Sequence, residues 1–148
     1  MAEIASRIEV LEARIAIADV VHGYAFNIRS GNAAACEKLF TEDAVFEVRE
    51  RLLSGTGIVR TRSTLTGRAA IVAYLTDGAA SQTRLCPLIQ NLIIRVNGRE
   101  ASCSSAMVAF VLSTGMRILG EYEDSFRYQD DWRFCYRIFT ILGEFPAG

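Results

Sequence analysis

The sequence predicts an α+β domain, with helices packed on one face of a curved and mostly antiparallel sheet. Three observations predict it. Apolar residues recur at three- and four-residue steps from Ile4 to about Ile28, and they cluster again from Ala69 to Leu75, as in helices with a buried stripe. From Leu88 onward the chain is rich in strand-forming residues, separated by the turn signals Asn97-Gly98, Ser113-Thr-Gly115 and Gln129-Asp-Asp131. Helical segments come early and strands late, which is the order of an α+β layout rather than of alternating βαβ units.

The first helix takes its stripe from Ile4, Ile8, Leu11 and Ile15, widened by Val10, Ile17, Val20, Val21 and Tyr24. An amphipathic helix turns such a stripe to its core. Gly31 suits a helix C-terminus and Asn32 suits the cap of the next helix, so Ala33 to Phe40 reads as a short second helix. Thr41-Glu-Asp-Ala44 is a turn. Val45, Phe46 and Val48 then open a β-prone stretch that Gly55 and Gly57 break into a hairpin. Thr66 can accept a bond from a free N–H at the start of a third helix, which carries Ile71 and Leu75 and ends near Gly78. The later strands run over Leu88 to Val96, Glu100 to Leu112, Met116 to Tyr128 and Trp132 to Leu142, joined as three successive hairpins. No repeat or linker divides the chain, so one domain spans residues 1–148.

Composition narrows the function. Sixteen basic residues against seventeen acidic ones leave a formal net charge of −1. No run of like charge could follow a phosphate backbone or an anionic membrane. Apolar runs fall short of a bilayer span, and no signal peptide is expected. The four cysteines are scattered, which points to reduced thiols in the cytoplasm. With a single histidine and no clustered cysteines no metal site is expected, and no motif for a nucleotide cofactor is present. A chain that is 51% hydrophobic has enough apolar surface for a core plus a cavity or a subunit interface.

Several segments, taken in order, carry a resemblance. Tyr24-Ala-Phe-Asn-Ile-Arg-Ser-Gly-Asn32 is followed by Leu39-Phe-Thr-Glu-Asp-Ala-Val-Phe46, then by Leu65-Thr-Gly-Arg-Ala-Ala-Ile71, Ile89-Gln-Asn91, Val96-Asn-Gly98, Gly120-Glu-Tyr-Glu-Asp124 and Asp131-Trp-Arg133. This series resembles the SnoaL-like family of the nuclear-transport-factor-2 (NTF2-like) superfamily, the branch that includes scytalone dehydratase. The resemblance implies a cone of three helices on a strongly curved, mixed, mostly antiparallel sheet, with a cavity between them and often a homodimer. It also implies one of two functions. The first is a cofactor-independent dehydratase or isomerase that moves protons on a small cyclic or polyketide-like molecule. The second is a non-catalytic binding or accessory domain, as in the β-subunits of aromatic-ring dioxygenases. The family pattern has an aspartate near the end of the first helix, where this chain has Arg29, and a histidine two residues before Ile89, where it has Pro87. Chemistry here therefore needs other groups.

His22 is the natural acid–base candidate, and Asp19 stands one helical turn before it, where a carboxylate could orient the imidazole. A lone histidine beside an aspartate on a helix is more often a solvated or interface pair. Tyr24 and Tyr122 are the phenols that the resemblance favours as hydrogen-bond donors to a developing oxyanion, although buried tyrosines are commonly packing residues. Glu47 would be a base if it faced inward and an ordinary surface charge if outward, and the outward case is expected. Phe26, Arg29, Phe46, Pro87, Ile89 and Phe110 are candidate substrate-binding residues, with Arg84 a further donor to an anionic or carbonyl-bearing ligand. An apolar outer sheet face leads to the expectation of a homodimer through the sheet.

Overall fold

A computed structural model describes residues 1–51, 57–81 and 84–148. Helix α1 spans Ala2–Arg29, a 3₁₀ helix covers Ala33–Leu39, and helix α2 spans Arg68–Ala80. The strands are β1 Phe40–Arg51, β2 Val59–Thr66, β3 Leu85–Asn97, β4 Glu100–Val111, β5 Arg117–Gln129 and β6 Asp131–Phe145. They form one sheet in the order β2-β1-β6-β5-β4-β3. Every pairing is antiparallel except that of β1 with β6, so the sheet is mixed. The expected α+β class is the observed one. Gly55, in the break between β1 and β2, lies outside the described residues.

Three local readings change. Thr41-Glu-Asp-Ala44, read as a turn, instead belongs to strand β1, which follows directly on the expected short second helix, a 3₁₀ helix. Helix α2 is longer than expected, and Gly67 rather than Thr66 holds the position before it, at φ 92. That conformation is open to glycine at little cost. The Gly67 amide donates to the Ala44 carbonyl at 2.7 Å, tying the start of α2 to β1.

The third change concerns which face of α1 is inside. Ala13, Ile17, Val21, Tyr24 and Ala25 are buried, whereas Ile4, Ile8, Leu11 and Ile15 remain 58%, 49%, 59% and 64% exposed. Both stripes keep helical spacing. Period alone therefore detects each stripe without saying which one meets the sheet.

Along β4 and β5 the inner face alternates strictly. Met107, Ala109 and Val111 point in from β4, and Gly120, Tyr122, Asp124 and Phe126 from β5. Strand β6 breaks the alternation, because Ser125 pairs with Tyr136 while Phe126 pairs with Phe134. The extra residue, Cys135, is a bulge that brings both Phe134 and Arg137 to the inner face. Pro87 sits on β3, an edge strand, the place in a sheet where proline is tolerated. Among the described residues no helix is long and apolar enough to cross a membrane.

Candidate functional site

A cavity of about 330 Å³ lies between the helices and the inner sheet face. Tyr24 and Ile28 come to it from α1, Phe46 and Val48 from β1, Tyr74, Leu75 and Asp77 from α2, Met107 and Ala109 from β4, Tyr122 from β5 and Phe139 from β6. Its inner end is formed by the buried Tyr24 and Tyr122, and its open end by the exposed Tyr74, Asp77 and Ser81. Most of the wall is apolar, so a ligand's polar atoms would meet few partners and each partner would matter.

Beneath the two tyrosines lies a buried ion pair. The Arg137 guanidinium carbon stands 3.7 Å from the Tyr122 ring centroid, 4.1 Å from that of Tyr24 and 4.4 Å from that of Phe134. Its Nε is 3.3 Å from the Asp124 carboxylate, and neither side chain is exposed at all. The nitrogens of Arg137, both oxygens of Asp124 and the Ser105 hydroxyl have no protein hydrogen-bond partner among the described residues. Aromatic faces thus supply much of the cation's stabilisation.

Burial raises the acidic groups enclosed around this pair. Asp124 is pushed up to about 7, because desolvation outweighs the attraction of Arg137. The Tyr24 phenol lies well above its usual value through burial and the neighbouring Tyr122, and Tyr122 is raised by burial against the opposing pull of Arg137. Both phenols therefore keep their protons near neutral pH, and the Tyr24 hydroxyl donates to Tyr122, which leaves the Tyr122 proton to be donated into the cavity. Cys36 and Cys103 are each pushed up to about 11 by burial, so neither is a reactive thiolate.

The residues singled out in the sequence divide. Tyr24, Tyr122, Phe46, Pro87 and Arg84 line the cavity. His22, Asp19, Phe26 and Arg29 do not; all four are exposed on the outward side of α1. Three- and four-residue steps from Ile15 keep them on the face opposite the core, so the orientation of that one helix corrects all four placements together. Arg29 instead covers the Phe26 ring at 5.5 Å, and its carbonyl accepts a bond from Arg84. Phe110 is exposed because Ala109 and Val111, its neighbours in β4, take the inward positions. Ile89 packs against the core without reaching the cavity wall. Glu47 faces out between the buried Phe46 and Val48, where it accepts a bond from Tyr136 and pairs with Arg49; these partners hold its carboxyl below the usual value.

Asp124 and Arg137 are the pair that sequence reasoning missed. Asp124 was within reach, since it alternates with Tyr122 and Phe126 and must share their face. Arg137 alternates in the same way with the inward Phe139 and pairs with Phe46, while the bulge at Cys135 brings Phe134 to that face as well. Among the described residues no three His, Cys, Asp or Glu side chains gather where a metal ion could be held.

This combination of fold and apolar cavity has known relatives, and the chain belongs to the SnoaL-like domain family, whose pattern matches residues 9–138. No functionally curated protein matches the sequence. Among solved structures it is similar to a candidate scytalone dehydratase from Novosphingobium aromaticivorans, with 22% identity, a TM-score of 0.75 and coverage of 97% of this chain and 92% of that one. It is similar also to the β subunit of a candidate aromatic-ring-hydroxylating dioxygenase from the same organism, at 19% identity and TM-score 0.74, covering 90% and 92%. A type 2 hexachlorocyclohexane dehydrochlorinase, LinA, superposes at TM-score 0.75 with 12% identity, covering 96% and 93%. At these identities the likeness is one of fold, NTF2-like, and its members differ in chemistry.

Proposed function

We propose that the protein binds one small, flat, largely apolar molecule in this cavity, with an oxygen of that molecule hydrogen-bonded to Tyr24 or Tyr122. The observation that carries this reading is the apolar wall ending on two buried, protonated phenols. A cavity of 330 Å³ is near the lower end of the range for small-molecule sites, roughly 300–1,000 Å³, and suits a one- or two-ring compound. The probe is 2-naphthol, which carries two fused rings and one hydroxyl. Calorimetric titration should show one saturable site, weakened about tenfold or more in Tyr122→Phe, as expected when a buried hydrogen bond of about 1.5 kcal/mol is lost. Absence of saturable binding of 2-naphthol would overturn the reading.

A second reading adds proton transfer of the dehydratase or isomerase class, without a cofactor. Tyr122, which accepts a bond from Tyr24 and rests with it on a buried Arg137, is a fixed donor for an oxygen that gains negative charge. Asp77 is the one carboxylate among the described lining residues and would serve as base. His22 has no part in this scheme, because it faces away from the cavity. Exchange of the α-protons of 2-tetralone in heavy water, followed by NMR, tests it. Acceleration by the wild type that falls in both Tyr122→Phe and Asp77→Asn supports proton transfer; an unaccelerated rate leaves binding as the whole function.

A further inference from the structure

Helix α1 is apolar on two opposite faces, and the fold uses one of them. At about 100° per residue, Ile4, Ile8, Leu11 and Ile15 fall roughly 120–180° around the helix from Ile17, which is completely buried. Residues 1–12 are all exposed, so the first turns of α1 stand clear of the body and can be approached from that side. Four large aliphatic side chains in one unbroken row differ from the single apolar residues scattered over any protein surface.

The spacing of the row is four, three, four, a heptad seam with Ile8 and Ile15 at a positions and Ile4 and Leu11 at d positions. β-branched residues at a with leucine at d favour two parallel strands, a rule that Leu11 follows and Ile4, at the outermost d position, does not. Charges beside the seam select the same partner. Arg7 and Arg14 occupy g positions, while Glu12 and Asp19 occupy the e positions five residues further on. In a parallel pair each g position faces the following e position of the other helix, which sets Arg7 against Glu12 of the partner subunit and Arg14 against Asp19 of the partner subunit. An antiparallel pair would set g against g and e against e, bringing like charges together. Among the described residues none of these four charges has an ion-pair partner in its own chain.

We propose that the outward stripe of α1 binds the same stripe of a second copy of this chain in parallel register, giving a homodimer with its two bodies on opposite sides of the helix pair. Ile4, Ile8, Leu11 and Ile15 take no part in the cavity wall, so the dimer forms whether or not the cavity is occupied.

Sedimentation velocity on the full chain at micromolar concentration tests this. The wild type should sediment as a dimer and Leu11→Glu as a monomer with an unchanged circular dichroism spectrum, since position 11 is exposed. The double variant Arg7→Glu/Arg14→Glu should be monomeric alone, as should Glu12→Arg/Asp19→Arg, and an equimolar mixture of the two should recover a heterodimer. A wild type that stays monomeric overturns the inference. So does a dimer that survives Leu11→Glu, which would place the contact on the outer sheet face at Leu88 and Ile93, and so does a mixture that fails to associate.

Discussion

Replacing Arg137 with leucine should destabilise the protein by an amount that depends on pH, and the structure sets both the size and the direction. The guanidinium is completely buried, lies within 4.4 Å of three ring centroids and is the counter-charge of Asp124 among the described residues. Removing one member of a buried ion pair costs about 3–5 kcal/mol when the remaining charge stays ionised. Asp124 has an escape, because its carboxyl already titrates at about 7 with Arg137 beside it. Without that attraction it rises further and takes up a proton. At about pH 6 and below, the carboxyl is mostly protonated in both proteins, and the loss reduces to packing and cation–π contacts, about 1–2 kcal/mol. Above pH 7 the wild type ionises while the variant still holds its proton. The cost should therefore grow by about 1.4 kcal/mol per pH unit until the variant's own carboxyl titrates. Urea unfolding at about pH 6 and about pH 9 measures both limits. The double variant Asp124→Leu/Arg137→Leu should recover most of the loss at high pH, since apolar residues of similar volume often replace a buried pair without net cost. A loss in Arg137→Leu that is the same at both pH values, or below about 1 kcal/mol at each, would refute the account of a desolvated, mutually dependent pair.

Other predictions follow from the same geometry. In the wild type the folded carboxyl of Asp124 holds its proton to about 7 and the unfolded one to about 3.8. Its contribution to stability is thus fully present below the lower value and lost as pH rises through the upper one; Asp124→Asn should abolish that slope in urea melts between the two. A Cβ at Gly120 would run into the edge of the Phe139 ring and stand 3.0 Å from the Thr140 carbonyl, so Gly120→Ala should cost about 1–3 kcal/mol in the same melts. Because Phe139 stacks on Tyr122 at 4.9 Å, that variant should also bind 2-naphthol more weakly. Ile17 is completely buried, and Ile17→Ala should cost about 2–5 kcal/mol, whereas Ile8→Ala on the opposite face of the same helix should change monomer stability by no more than about 0.5 kcal/mol. Equal losses at the two positions would reverse the assignment of the buried face.

By itself the sequence determined the class of fold, the order of its elements and most turns, because these depend on local terms. Helical and strand periods, the turn at Asn97-Gly98 and the apolar content act over a few residues and can be read along the chain. Tyr24 and Tyr122 were legible for a similar reason, each belonging to a segment with a recognisable pattern. Tertiary structure decided the rest. α1 offers two apolar stripes of the same period, and only packing against the sheet chose Ile17, Val21 and Tyr24 over Ile8, Leu11 and Ile15, a choice that also sent His22 and Asp19 outward. Phe134 joined Arg137 on the inner face because β6 takes an extra residue at Cys135, where Ser125 and Phe126 of β5 pair across a shifted register. Asp124, the partner of Arg137, comes from a neighbouring strand, and the covering ring Tyr24 from a helix far away in sequence. No local preference encodes that meeting; it follows from desolvating a cation among three aromatic faces once the sheet has closed over the helix.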